Sequence, residues 1–308
     1  MGQPGQASPS AQAWSELLHA EVGYLLGQAG VPVLHIKGPT VALWLYAPGE
    51  RSWGDVDILV APSRMAQALA VLDAHGLREV FPGVNRSTST DHAISVRRTD
   101  SLAGADEVDV HDRFPGIDTD PERAFSILWA RRLPAQLAHI DVWFPDLASR
   151  AVLTVLNTAR SSGSPQARRD LTRLLDSPVL LDWKEVLTVA RAVEALPALR
   201  AGLELAEKGR RLIEATELQH VPVSVEWKLR LAHAPRTALR LDELARLPRS
   251  QRLPAVGRWL FPPPAILRMR DPWAARSRSA LAIAYLRRLG DGVRALPSSI
   301  RALRRSRH

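Results

Sequence analysis

The chain has 308 residues, 46% hydrophobic and 24% charged, with no Cys and a formal net charge of +9. That length can bury a sizeable core and favours two domains, and the lack of Cys excludes a disulfide framework and agrees with a cytoplasmic home. No apolar run is long enough to span a bilayer, so no membrane partner is expected. The opening Met1-Gly2-Gln3-Pro4-Gly5-Gln6 has neither the basic and apolar segments of a secretory signal nor the Ser or Thr at position 6 of a myristoylation signal.

Residues 1–10, rich in Gly, Pro, Ser and Gln, are expected to be disordered. Trp14, Leu17, Leu18, Val22, Leu25 and Leu26 recur at helical spacing and predict a helix over 11–30, closed by Gly30. Residues 31–36 read as a strand with Pro32 at its edge. Gly38 reads as a turn, and Pro39 as the first residue of a short helix to Tyr46 that Pro48-Gly49 stops. A strand over 55–60 follows, then a helix opened by Pro62-Ser63 with Met65, Leu69 and Leu72 inward and Gly76 at its end. Further strands are predicted near 77–81, 92–98 and 107–111. This order implies a mixed α/β (α+β) domain over 11–145.

From 146 onward the character changes. Leu147, Val152, Leu153 and Leu156 recur at helical spacing, and Asp182-Trp183-Lys184-Glu185 is a helix start with a capping residue followed three on by Glu. No strand is predicted there, so 146–308 reads as a helical C-terminal domain, broken at 161–165 and 261–264. It is also basic. Residues 228–308 hold 19 Lys plus Arg against 4 Asp plus Glu, whereas the preceding 227 hold 22 against 28. Such a surface would attract phosphate backbones, a nucleic acid among them, or be a set of solvated arginine faces in an Arg-favouring chain with only four Lys.

The stretch Arg51-Ser52-Trp53-Gly54-Asp55-Val56-Asp57-Ile58-Leu59-Val60 carries the chemistry. The period of two puts Asp55, Asp57 and Leu59 on one face and Val56, Ile58 and Val60 on the other, so two carboxylates leave the sheet side by side and call for a cation between them. Hard oxygen donors without Cys or a tight His cluster suit Mg²⁺ over Zn²⁺. Upstream, Lys37-Gly38 opens a helix whose N-terminal N–H groups, less the one Pro39 lacks, would seat a phosphate beside a lysine. Downstream, the alternation Glu107, Asp109, His111 supplies a third carboxylate, as two-metal phosphoryl transfer needs. His92 and His111 read first as hydrogen-bonded structural groups and second as groups that would position a nucleotide or substrate, and the Trp residues read as core, with Trp53 the exception beside the motif.

In these residues the chain resembles the nucleotidyltransferase superfamily with a DNA polymerase beta type of palm, and more narrowly the bacterial family of uncharacterised nucleotidyltransferases. The match lies in Lys37-Gly38, Tyr46, Arg51 to Val60 and Asp109-Val110-His111 within 31–112, and extends weakly into the helical half at Asp182-Trp183-Lys184-Glu185. The resemblance implies a nucleotidyltransferase-like mixed sheet with Asp55 and Asp57 as metal ligands and Asp109 as third ligand and base. It departs at Lys37-Gly38-Pro39, where the superfamily has Gly-Ser, so Lys37, Gly38, Arg51 and Ser52 are expected to hold the nucleotide instead. Trp53-Gly54 also departs, standing where the narrower family tends to have a smaller or Met residue followed by Ser. The implied activity is Mg²⁺- or Mn²⁺-dependent transfer of NMP from an NTP to a hydroxyl on RNA such as tRNA, on a protein or on a small molecule. Two other functions fit the residues: a catalytically silent nucleotide- or RNA-binding module, and a basic helical nucleic-acid-binding protein with an N-terminal scaffold.

Overall fold

The computed structural model describes residues 11–81, 93–98, 107–177 and 181–307. The tail expected to be disordered, 1–10, and His92, expected to begin a strand, lie outside them. Five strands, β1 (Val33–Ile36), β2 (Val56–Val60), β3 (Leu77–Glu79), β4 (Ala93–Arg98) and β5 (Glu107–His111), form a mixed sheet in the order β1-β2-β5-β4-β3. Among the described residues, only β2 and β5 run parallel. Pro32 precedes an edge strand, where its missing N–H costs no ladder bond.

Three helices complete this part: α1 (Ala11–Gln28), α2 (Gly38–Leu45) and α3 (Met65–Ala74). Leu18, Val22 and Leu26 of α1 and Ala68 and Leu72 of α3 join Val33, Val56, Ile58, Val60, Ile94, Val96, Val108 and Val110 in one core. The period of two thus commits one face of β2 to this core and turns Asp57 to the other.

After the sheet come α4 (Pro121–Ala130) and a hairpin of β6 (Arg132–Leu137) and β7 (Ile140–Pro145), which the sequence reading did not predict. Asp120 caps α4 by accepting from the Arg123 N–H. The hairpin turns on Ala138 and His139, both at positive φ (45° and 64°), and Leu137, Val142 and Phe144 pack on Ala20 of α1. Then α5 (Leu147–Arg160), α6 (Pro165–Asp176), α7 (Trp183–Ala192), α8 (Leu196–Leu203) and α9 (Glu207–Glu214) follow. Helix α5 is buried along most of its length. Its partner α8 approaches so closely that a Cβ on Gly202 would lie 2.5 Å from the Val155 carbonyl oxygen.

Contacts divide the chain into two compact units that meet in sequence between Gln219 and His220. Within the first unit α5 and α6 pack on α2. The second unit holds α10 (Val225–Leu231), α11 (Arg236–Arg246), α12 (Arg249–Leu260), α13 (Pro264–Arg270) and α14 (Arg278–Arg307), with small cores around Leu229, Ala238 and Leu303 and around Leu267, Ala274 and Ala284. Among the described residues, no helix is long and apolar enough to cross a membrane.

Beneath the sheet, His19 of α1 and His35 of β1 are fully buried, joined Nδ1 to Nδ1 at 2.9 Å, with ring centroids 5.1 Å apart. Burial pulls His19 down to about 4 and, with the neighbouring His19, holds His35 well below the ordinary imidazole range. Both rings are neutral in the folded protein but bind protons in the unfolded chain near 6.5. The unfolded state therefore takes up more protons as pH falls. Stability is full above 6.5 and declines toward about 4, with His19 alone contributing on the order of 3 kcal/mol of the loss. Urea denaturation between pH 7 and 4.5 tests this, and a His19→Asn slope equal to that of the unaltered protein would sink it.

Candidate active site

The site is built where β1 ends and α2 begins. Lys37 occupies a left-handed backbone conformation (φ 58°, ψ −147°), uncommon for a residue with a Cβ, and Gly38 follows at φ 30°. This turn is tied by Thr40, whose N–H and Oγ1 both donate to the Lys37 carbonyl at 2.8 and 2.6 Å. The Trp53 ring lies 3.5 Å from where a Gly38 Cβ would stand. The conformation aims Lys37 inward. Its Nζ donates to Oδ1 of Asp57 at 2.5 Å.

Asp57 faces Asp109 in register across the parallel pair β2 and β5. Its Oδ1 also accepts from Nε2 of His111 at 2.8 Å, and Ser95 Oγ donates to Oδ1 of Asp109 at 2.6 Å. Burial alone would raise the Asp57 carboxyl, but the His111 hydrogen bond and the Lys37 charge outweigh it and hold the group far below the usual carboxylate range. Asp55 sits one residue before β2 and is exposed. Partial desolvation, then the carboxylates of Asp57, Asp109 and Glu107, push it up. Asp57, Asp109 and His111 offer ligand atoms within 4.8 Å of one another. The carboxylate oxygens of Asp57 and Asp109, with Asp55 beside them, are hard donors, so the cluster fits a divalent cation. Since His111 Nε2 lies at hydrogen-bond distance from Asp57, it orients that carboxylate as an outer partner would.

Arg51, expected to face phosphate, is tied to α6 and to the Lys37-Gly38 turn. Its Nε and Nη2 fork onto both oxygens of Asp170 of α6 at 2.9 Å, and its Nη1 donates to the Gly38 carbonyl at 3.0 Å. Asp170, only 3% exposed, also accepts from Tyr46 Oη and Gln166 Nε2, each at 2.8 Å. Burial and then this carboxylate push the Tyr46 phenol up to about 12. The motif's Tyr and Arg thus pin the Lys37-Gly38 turn to α6. Ser52 is exposed. Sequence reading missed Asp170, and it missed Arg150 of α5, which lines a narrow cavity with Lys37, Thr40, Arg51, Thr154 and Asn157. Neither residue carries a local motif.

A mixed sheet with a parallel acidic pair, a Lys-Gly turn at a helix start and a helical second half defines a nucleotidyltransferase-type fold. Residues 12–209 match the family of uncharacterised nucleotidyltransferases, and the chain belongs to that family. Among curated proteins, none matches it in sequence. Similar solved structures include the antibiotic-resistance factor ANT(2'')-Ia in solution, at 12% identity over 59% of this chain and 92% of that one, with TM-score 0.40. An antigenic nucleotidyltransferase-like protein from Paracoccidioides brasiliensis is similar at 16% identity, over 64% and 94% of the two chains, with TM-score 0.39. ANT(2'')-Ia in complex with adenylyl-2''-tobramycin follows at 13% identity, over 59% and 97%, with TM-score 0.38.

Proposed function

We propose that the chain is a Mg²⁺- or Mn²⁺-dependent nucleotidyltransferase that moves NMP from an NTP to a hydroxyl acceptor and releases pyrophosphate. The observation that carries this reading is the in-register pair Asp57 and Asp109 on parallel strands, with Asp55 at its edge and Lys37 beside it. Asp55, Asp57 and Asp109 would hold the metal, which when bound neutralises charge on the phosphates. His111 keeps Asp57 ionised and oriented, and Ser95 fixes one oxygen of Asp109. Asp109 takes the proton of the acceptor hydroxyl as its oxygen bonds to the α-phosphorus. The bond from that phosphorus to the β-phosphate oxygen breaks, and pyrophosphate leaves with the electron pair. Gly38 opens α2 toward the phosphates, and Lys37 contributes the adjacent positive charge.

The excess of 19 basic over 4 acidic residues in 228–308 favours a nucleic-acid acceptor such as tRNA. Incubation with each labelled NTP, Mg²⁺ and total RNA or a cell extract tests the reading against a variant carrying Asp55→Ala and Asp57→Ala. Label is expected on RNA with the unaltered protein only. Mg²⁺-dependent NTP binding without transfer would identify a silent module, and salt-sensitive RNA binding indifferent to both substitutions and to NTP would identify a basic binding protein.

A further inference from the structure

Helix α14 repeats one pattern three times at a spacing of seven: Leu286-Arg287-Arg288-Leu289, Val293-Arg294-Ala295-Leu296 and Ile300-Arg301-Ala302-Leu303. Seven residues make two helical turns, so corresponding letters line up as stripes along the helix. The Leu stripe turns inward and ends at Leu303, in the small core with Leu229 and Ala238. The other apolar stripe stays outside. Leu286, Val293 and Ile300 are 67%, 65% and 43% exposed, and Arg287, Arg294 and Arg301 stand exposed beside them. Along the whole helix eight Arg meet one acidic residue, Asp291. The stripe borders a cavity of about 720 Å³ between α14, α11 and α12, in which Val293 and Leu296 join Leu241, Leu244, Val256 and Leu260. Arg236 and Arg287, both exposed, line it too. At Gly290 and Gly292 an added Cβ would meet nothing within 4 Å. No neighbour in the chain asks for glycine there, where it weakens a helix, whereas a second backbone coming close would.

We propose that this face of α14, with its groove, docks an acidic amphipathic helix of a partner protein. Apolar residues of the partner at three- and four-residue spacing enter the groove, and flanking Asp or Glu meet Arg287, Arg294 and Arg301. From Leu286 to Ile300 the stripe runs about 21 Å at the helical rise per residue, which matches about four turns of a partner helix. Charge and shape select this occupant. A second copy of the chain would bring two rows of arginine together. A phosphate backbone would use the arginines and leave the apolar stripe idle, and a lipid surface would cover the stripe without filling a cavity between helices. Helix α14 lies outside the residues 12–209 that match the family, so the docking face stands apart from the transfer reading.

The experiment titrates the full-length protein into a fluorescent synthetic helix with Leu along one face and Glu on both flanks, and into the same peptide with Lys for Glu, and reads anisotropy. The Glu peptide is expected to bind and the Lys peptide not to. Leu286→Ser with Val293→Ser should weaken the Glu peptide roughly tenfold or more while melting stays level, because both side chains are exposed. Reversing Arg287, Arg294 and Arg301 together to Glu should exchange the preference, so that the Lys peptide binds and the Glu peptide does not. If the double variant melts lower, Leu286→Ser alone, at a position outside the cavity, carries the apolar part of the test. A Glu peptide that does not bind the unaltered protein would overturn the docking face. Binding indifferent to the apolar substitutions would overturn it as well and leave an arginine surface for any polyanion. Retention on vesicles of phosphatidylserine and phosphatidylcholine that Leu286→Ser and Val293→Ser abolish, with neither peptide bound, would overturn it in favour of a membrane surface.

Discussion

Asp57→Asn is expected to lower NMP transfer by roughly 10²- to 10³-fold or more, because it removes charge from the one carboxylate on which the site converges. Asp57 is 7% exposed, accepts from both Lys37 and His111, and faces Asp109 across the parallel strand pair. The amide keeps the shape and loses the charge. Stability should fall as well, since losing one member of a buried charge pair costs about 3–5 kcal/mol. Lys37 is partly open to water, with 17% of its side chain exposed, which puts this loss toward the lower end of that range. The check is the initial rate of labelled-NMP transfer, measured on protein whose melting curve shows it folded at the assay temperature. A folded Asp57→Asn enzyme with more than about a tenth of the original rate would remove Asp57 from the reaction.

Asp170→Ala is expected to be the most destabilising of the site substitutions, although Asp170 is not placed among the metal ligands. It strips a buried carboxylate from Arg51, Tyr46 and Gln166 at once, leaving a guanidinium with only the Gly38 carbonyl. Breaking a buried bidentate pair costs about 3–5 kcal/mol, and for a unit of this size each kcal/mol lowers Tm by about 2–4 °C, so a fall of roughly 10 °C is expected. The double substitution Arg51→Met with Asp170→Leu should recover much of that loss, because two apolar groups leave no unpaired charge. Thermal unfolding of the three proteins decides it. Asp170→Ala melting within a degree or two of the unaltered protein would show that the turn is held by other means.

The acidic pair was legible because strand periodicity is local: Asp57 alternates with core Val and Ile residues, and Asp109 repeats the pattern on a strand that proves adjacent and in register. Tyr46 and Arg51 were legible as motif letters, but their common partner was not, since Asp170 lies on α6 more than a hundred residues away. Arg150 was opaque for a related reason: only packing brings it to the cavity beside Lys37. The β6–β7 hairpin escaped because Ala138 and His139 take the positive φ that Asn-Gly would announce, and Pro134 and Pro145 disguise the strands. Helix α4 had a readable start in Asp120-Pro121-Glu122, which the alternation of the neighbouring strands obscured.

The most direct measurement supplies ATP and the other NTPs labelled either at the α- or at the γ-phosphate, with Mg²⁺ and acceptor RNA or extract, and counts label on the acceptor against pyrophosphate released. A nucleotidyltransferase built on Asp55, Asp57 and Asp109 transfers α-label alone, one pyrophosphate for each NMP, and stops on chelation or with Asp57→Asn. Transfer of γ-label, or none of either from a folded protein with Mg²⁺ and Mn²⁺ both tried, would contradict it.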